Sequence, residues 1–324
     1  MGETQIMARI IVIGATGHIG TYLVPRLVRA GHDVVAVSRG AAQPYLPDTA
    51  WNHVEQVSID RAAAEANADF GRAIADLKGD IVIDNICFTL ESAQQLAEAL
   101  RGKLSHFLHI GTIWTHGFSE VVPTPEDVTK RPFGEYGVQK AAIEDYLLGL
   151  ARRDGFPVTI LHPGHIVGQG WSPLNPAGHF DNAVFQTIAQ GETLALPNFG
   201  METVHHIHAD DIAILLMHAM ANWSVSVGEA FHAVSPGAVT LRGYAEAMYR
   251  WFGKEPALSF HSWEDWKAMQ TPENAAATWE HIARSPNASI EKGRRLLGYA
   301  PRYTSLAAVQ ESVSWLLGNG KLAL

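Results

Sequence analysis

The chain has 324 residues, 47% hydrophobic and 18% charged: enough apolar material for one large domain or two closely joined ones, too little charge for a disordered protein. A net charge of −9 weighs against general affinity for nucleic acid or an anionic membrane, and the single cysteine, Cys87, permits no internal disulfide. No apolar run reaches the roughly 18 residues of a membrane span and no signal-peptide pattern opens the chain, so a cytoplasmic location with no nucleic-acid or membrane partner is expected.

In chain order, Ile10-Ile11-Val12-Ile13 reads as a strand buried on both faces. The glycines of Gly14-Ala15-Thr16-Gly17-His18-Ile19-Gly20 then turn it into a helix carrying Tyr22, Leu23, Leu27 and Val28, which ends at Gly31. Such a turn suits a diphosphate, because the N–H groups and dipole of the helix start attract an anion that side-chain-free glycines let come close. A second strand, Asp33–Val37, ends in Ser38-Arg39-Gly40, where a dinucleotide fold reads the adenosine ribose. No carboxylate stands there to accept a 2′-hydroxyl. Ser38 and the Arg39 fork fit a 2′-phosphate instead, so NADP is preferred and NAD is the alternative.

Further strands are expected at Val54–Asp60, Ile81–Asp84, His106–Ile110 and Val158–Leu161, and helices at Phe70–Leu77, Glu91–Arg101 and Gly134–Arg153. This alternation predicts an α/β fold, a Rossmann-type doubly wound parallel sheet, with residues 1–165 as the dinucleotide-binding domain. Pro163 to Asn182 is rich in proline, glycine and aromatics, and helical pattern returns at Ala183–Gln190, Ala209–Ala221, Leu241–Phe252 and Ser305–Leu317. Residues 166–324 therefore read as a smaller, mostly helical C-terminal substrate-binding part, interleaved with the first through return segments near 203–236.

Tyr136 and Lys140 share one face of the helix Gly134–Arg153, and an ammonium beside a phenol lowers the phenol's pKa from about 10. Thr112, just past a strand, is placed to hydrogen-bond the same substrate oxygen. Together they form a proton-transfer set for a carbinol or carbonyl. Trp114, His116, His165 and Trp171 fall in loops bordering the cleft and are taken as pocket lining. No metal site is expected: His205, His206 and His208 lie on a strand whose alternation splits them between two faces, and His162, His165 and His179 come with no further ligand motif.

The chain resembles an extended short-chain dehydrogenase/reductase of the NAD-dependent epimerase/dehydratase group. Gly14-Ala15-Thr16-Gly17-His18-Ile19-Gly20 matches its glycine motif, Tyr136-Gly137-Val138-Gln139-Lys140 its catalytic Tyr-x-x-x-Lys, and Thr112 its Ser or Thr. His162-Pro163-Gly164-His165-Ile166-Val167-Gly168, Ile207-His208-Ala209-Asp210-Asp211-Ile212-Ala213 and Lys292 through Pro301 are similar to its later motifs. The resemblance implies cofactor contacts at Asp60, Asn85, Lys140, His162, Gly164 and His165. It also implies a homodimer through the helices at 91–101 and 134–153, with Ile143, Tyr146, Leu147 and Leu150 as the apolar stripe. Thr112 is followed by Ile113-Trp114 rather than Asp-Glu, which disfavours dehydration. The family's diphosphate-binding Arg is replaced by Val204-His205-His206, with Arg284 as a substitute from further along. The expected function is NAD(P)-dependent hydride transfer on a sugar-like small molecule with Tyr136 as acid/base. The alternatives are a nucleotide-sugar epimerase holding NAD tightly, and a non-catalytic NADP- or RNA-binding member of the fold.

Overall fold

The computed structural model describes residues 7–323. Five strands follow the β-prone runs closely: β1 (Arg9–Ile13), β2 (Asp33–Ser38), β3 (Glu55–Ser58), β4 (Ile81–Asp84) and β5 (His106–Ile110). With β6 (Val158–Pro163) and the strand Glu229–Ala233 they form one parallel sheet, in the order Glu229–Ala233, β6, β5, β4, β1, β2, β3. The order reverses at β1, which pairs with β2 on one side and β4 on the other, so Ile13 lies between Val37 and Asp84. The connections to β2 and β4 leave in opposite directions there and open a crevice at the strand ends.

Because alternate residues of each buried strand face opposite ways, the sheet builds two cores. On one face Ile10 and Val12 pack with Leu23, Val24 and Leu27 of α1 (His18–Arg29), and with Ile212, Leu215 and Leu216 of the helix Ala209–Ala221. On the other, Ile11 and Ile13 pack with Phe70, Ile74, Leu96, Ile143 and Leu147. Each such side chain, fully buried, contributes about 1.5–3 kcal/mol relative to exposure. A third core belongs to the C-terminal part, where Phe185, Tyr244, Met248, Trp266 and Val313 meet. Among the described residues no helix is long and apolar enough to cross a membrane.

Two expectations change. Between β3 and β4 lie two helices rather than one, α2 (Arg61–Ala66) and α3 (Phe70–Asp76), because the Asp60 carboxylate accepts from the Ala63 N–H and caps a helix where a strand end was expected. The stripe on α5 (Glu135–Asp154) does not face outward. Ile143, Leu147 and Leu150 are fully buried against the sheet, while half-buried Tyr146 donates to Glu98 of α4 (Leu90–Leu100), so three of the four stripe residues belong to the core.

Candidate active site

A cleft of about 580 Å³ opens at the ends of β1, β4, β5 and β6. Its floor is the β1–α1 turn. Gly14 takes a left-handed backbone (φ 77°), and a Cβ there would sit 2.8 Å from Ile86. At Gly20 a Cβ would lie 2.0 Å from the Ala15 carbonyl oxygen, so only glycine lets α1 begin this close to the turn. Gly17 occupies the N-cap position with no side-chain cap, leaving the first-turn N–H groups of α1 to the cleft, which Gly17, His18 and Ile19 line. Across from them, both polar atoms of the Asn85 amide are buried without a hydrogen-bond partner. An open helix start, a glycine cradle and an orphaned amide fit a dinucleotide.

Deeper in the cleft Lys140 is 1% exposed and donates to the Ile110 carbonyl at 2.7 Å, and burial lowers its pKa to about 8. Its Nζ lies 5.8 Å from the centre of the Tyr136 ring. The Tyr136 ring is 40% exposed at the mouth, but its hydroxyl end is desolvated, which raises its pKa above the ordinary 10; a hydrogen bond with Thr112 acts in the opposite direction. The lowered phenol expected from the Tyr–Lys spacing is therefore not what this environment produces. Thr112, Tyr136 and Lys140 do converge on one space, together with Gly164 and His165. The His165 Nε2 is buried without a partner, and burial holds the ring neutral by moving its pKa well below 6.5.

Several anticipated residues lie elsewhere. His162 is fully buried, 3.0 Å from Glu144, and does not line the cleft. His116 likewise turns inward, its Nε2 at 2.7 Å from that of His232. Trp171 stacks on His18, with ring centres 3.9 Å apart, and shields the α1 start from outside. Asp60 is taken up in capping α2, while its neighbour Arg61 holds Asp84 with bonds of 2.8 and 3.0 Å. Thr16 and Ser38 line a separate hollow of about 60 Å³, and Arg39 beside it is exposed. His205 and His206 bond to the Ser235 and Leu174 carbonyls, and His208 to Glu311.

Arg284 does not replace the missing diphosphate ligand. It is 1% exposed, its guanidinium sandwiched 3.8 Å from Trp114 and 3.9 Å from Phe133, and it donates to the Phe133 carbonyl and to Glu280. Lining residues missed from sequence include Phe88, Ile86 and His281. His281 comes from the helix Pro272–Ile282, with its ring centre 5.2 Å from Trp114 and 5.0 Å from His165. Burial lowers its pKa to about 4, so it too is neutral. Among the described residues, Lys140 is thus the only charged side chain on the cleft wall.

The pattern of the NAD dependent epimerase/dehydratase family matches residues 10–232. The 2'-dehydrokanamycin reductase of Streptomyces kanamyceticus is 26% identical over 246 residues, 76% of this chain and 67% of that protein. The chloroplast stem-loop binding protein of 41 kDa b of Arabidopsis thaliana is 23% identical over 319 residues, 96% of this chain and 80% of that one. Among solved structures a UDP-galactose 4-epimerase superposes with a TM-score of 0.71 at 19% identity, covering 96% of this chain and 99% of its own. The family match runs through the glycine turn, Thr112, Tyr136 and Lys140 alike: the chain belongs to the NAD dependent epimerase/dehydratase family and is an oxidoreductase or epimerase of the extended short-chain dehydrogenase/reductase type.

Proposed function

We propose that the protein catalyses NADP-linked reduction or oxidation of a small uncharged carbonyl or secondary alcohol of sugar-like character, with NAD as the alternative cofactor. The observation that carries this reading is the convergence of Thr112, Tyr136 and Lys140 on a cleft whose wall, among the described residues, has no cation besides Lys140, itself bonded to the Ile110 carbonyl. The β1–α1 turn would hold the diphosphate, Lys140 the nicotinamide ribose, Asn85 the neighbouring polar groups, and Ser38 with Arg39 the 2′-phosphate. A bound nicotinamide supplies hydride chemistry. Tyr136, kept protonated by desolvation, gives its proton to a substrate carbonyl oxygen, and the Thr112 hydroxyl steadies that oxygen as negative charge develops on it. Lys140 places positive charge behind the phenol and stabilises the phenolate left after transfer. A phenol that starts protonated suits reduction better than the abstraction that begins an epimerisation.

The aromatic and imidazole surfaces of Phe88, Trp114, His165 and His281 support a substrate with a neutral ring and one or two hydrogen-bonding groups. The names of the relatives, a reductase of an aminoglycoside derivative among them, agree with a ring-bearing carbonyl substrate. The test is absorbance of reduced nicotinamide with a panel of neutral keto-sugars and cyclic ketones, run beside UDP- and dTDP-sugars. Turnover of the neutral compounds is expected; turnover confined to nucleotide sugars would restore the epimerase reading. A second reading, RNA binding, is favoured by the name of the Arabidopsis relative and opposed by the charge of −9. Gel-shift titration with stem-loop RNA distinguishes it.

A further inference from the structure

We propose that His116, His162 and His232, with Glu144, form a buried binding site for one divalent transition-metal ion of the Zn2+ class. The four residues come from four places: the helical turn Ile113–His116, β6, the strand Glu229–Ala233 and α5. His162 and His232 are register partners on neighbouring strands and face the same side of the sheet. The three rings are 7%, 0% and 0% exposed, and Glu144 is 1% exposed. One ligand atom from each histidine lies within 4.8 Å of the other two.

The ring spacing is that of a metal centre. With a metal–nitrogen distance of about 2.0–2.1 Å and tetrahedral angles, imidazole centres around one ion stand about 5.2 Å apart. Here they are 4.9 Å apart for His116 and His232, and 5.8 Å for each of the other pairs. Glu144 Oε2 stands beside this cluster, 3.0 Å from His162 Nε2, and swings toward the other two rings to serve as the fourth ligand. His232 is also oriented: its Nδ1 bonds to the Ser289 carbonyl at 2.9 Å, which leaves the Nε2 lone pair facing the cluster.

A second observation points to a ligand. His162 Nδ1 is buried with no partner, and its Nε2 meets Glu144 Oε2 at 3.0 Å without the alignment of a hydrogen bond, an arrangement that costs stability unless a further group satisfies these atoms. Without an ion, His116 and His232 share a hydrogen bond of 2.7 Å between their Nε2 atoms. An ion displaces that proton, and the two nitrogens open to about 3.3 Å, the ligand–ligand distance around zinc. Lys130 donates to the other carboxylate oxygen, Oε1, so Oε2 keeps its lone pairs for the metal. Glu126, 3.7 Å from His232 Nδ1, offsets part of the added positive charge. Three imidazoles and one carboxylate suit zinc and exclude magnesium and calcium, which take oxygen ligands. Glu144 stands one turn beyond Lys140 on α5, so the ion ties the back of the catalytic helix to the sheet and takes no part in proton or hydride transfer.

The experiment uses the full chain made without a histidine tag, stripped with a chelator and titrated calorimetrically with Zn2+, with Mg2+ as control. One equivalent of Zn2+ is expected to bind, with a dissociation constant below about 1 µM, while Mg2+ gives no heat. Co2+ in its place gives the intense visible bands of a tetrahedral site. His162→Asn and Glu144→Gln are expected to weaken Zn2+ binding about 100-fold, while the exposed His53→Asn leaves it unchanged. The wild-type titration and the cobalt spectrum decide the matter even where a core variant fails to fold. Absence of stoichiometric Zn2+ binding, or binding undiminished in Glu144→Gln, overturns the proposal. Neither outcome depends on which substrate the enzyme uses.

Discussion

Tyr136 and Lys140 are one helical turn apart and differ sharply in surroundings, and the difference separates their roles. The phenol reaches the cleft beside Thr112; the ammonium is buried and fixed to the Ile110 carbonyl. Tyr136→Phe removes only a group that matters when charge develops on the substrate oxygen, so kcat is expected to fall by about 10²–10⁴ with NADP affinity nearly unchanged. Stopped-flow turnover set against fluorescence titration of the cofactor measures both. Equal losses in the two would move Tyr136 from proton transfer to cofactor binding. Arg39, exposed beside the Ser38 hollow, is expected to set cofactor choice: Arg39→Asp repels a 2′-phosphate and accepts from a 2′-hydroxyl, shifting the ratio of dissociation constants toward NAD. A ratio that does not move would remove Arg39 from the site. The imidazoles show where residue-scale reading stops. His116 and His162 carry nothing in their local sequence that says inward or cleftward, because their partners, His232 and Glu144, lie on other elements.

At the scale of elements, β1, β4, β5 and α5 lie within a residue of the runs that announced them, since apolar runs and helical spacing follow from backbone periods alone. What escaped is what local pattern cannot carry. α2 starts at Asp60 because a side chain captures a backbone N–H, and the α5 stripe faces the sheet because α4 and the strands stand on that side. His281 reaches the cleft from a helix far along the chain, a placement only tertiary packing determines. The β1–α1 junction is the tightest of these elements. Gly20→Ala would press a Cβ into the Ala15 carbonyl, and the backbone must move. A loss at the upper end of the roughly 1–3 kcal/mol typical of overpacking is expected, read as a lower urea midpoint. Gly31→Ala, where nothing lies within 4 Å but φ is 83°, is the comparison that isolates backbone strain from collision.

For the whole molecule, buried neutral histidines set the response to acid. Burial lowers the pKa values of His205 and His206 from 6.5 to about 4. Above pH 6.5 folded and unfolded chains are both neutral at these positions. Below it the unfolded chain takes up protons that the folded chain refuses, so stability falls as pH drops from 6.5 toward 4. Each histidine costs on the order of 3 kcal/mol at the lower limit. Urea midpoints across this range are expected to decline, and to decline less in His206→Gln. A flat profile would mean that these rings protonate without unfolding. With Ile143, Leu147 and Leu150 committed to the core, light scattering at micromolar concentration is expected to give the mass of a single chain.

The helix Pro272–Ile282 reaches the cleft through His281, while Arg284 just after it is clasped by Trp114 and Phe133 behind the Trp114 wall. The glycine turn, Thr112, Tyr136 and Lys140, to which the proposed reaction assigns cofactor and proton, stand in the first half of the chain, and His281 in a short stretch near the end. Mutation can therefore rewrite what is admitted without rewriting what is done to it. Substitutions at His281 are expected to change which substrates turn over while leaving the cofactor dissociation constant unchanged, and substitutions within 10–20 to do the reverse, read by kinetics and fluorescence titration.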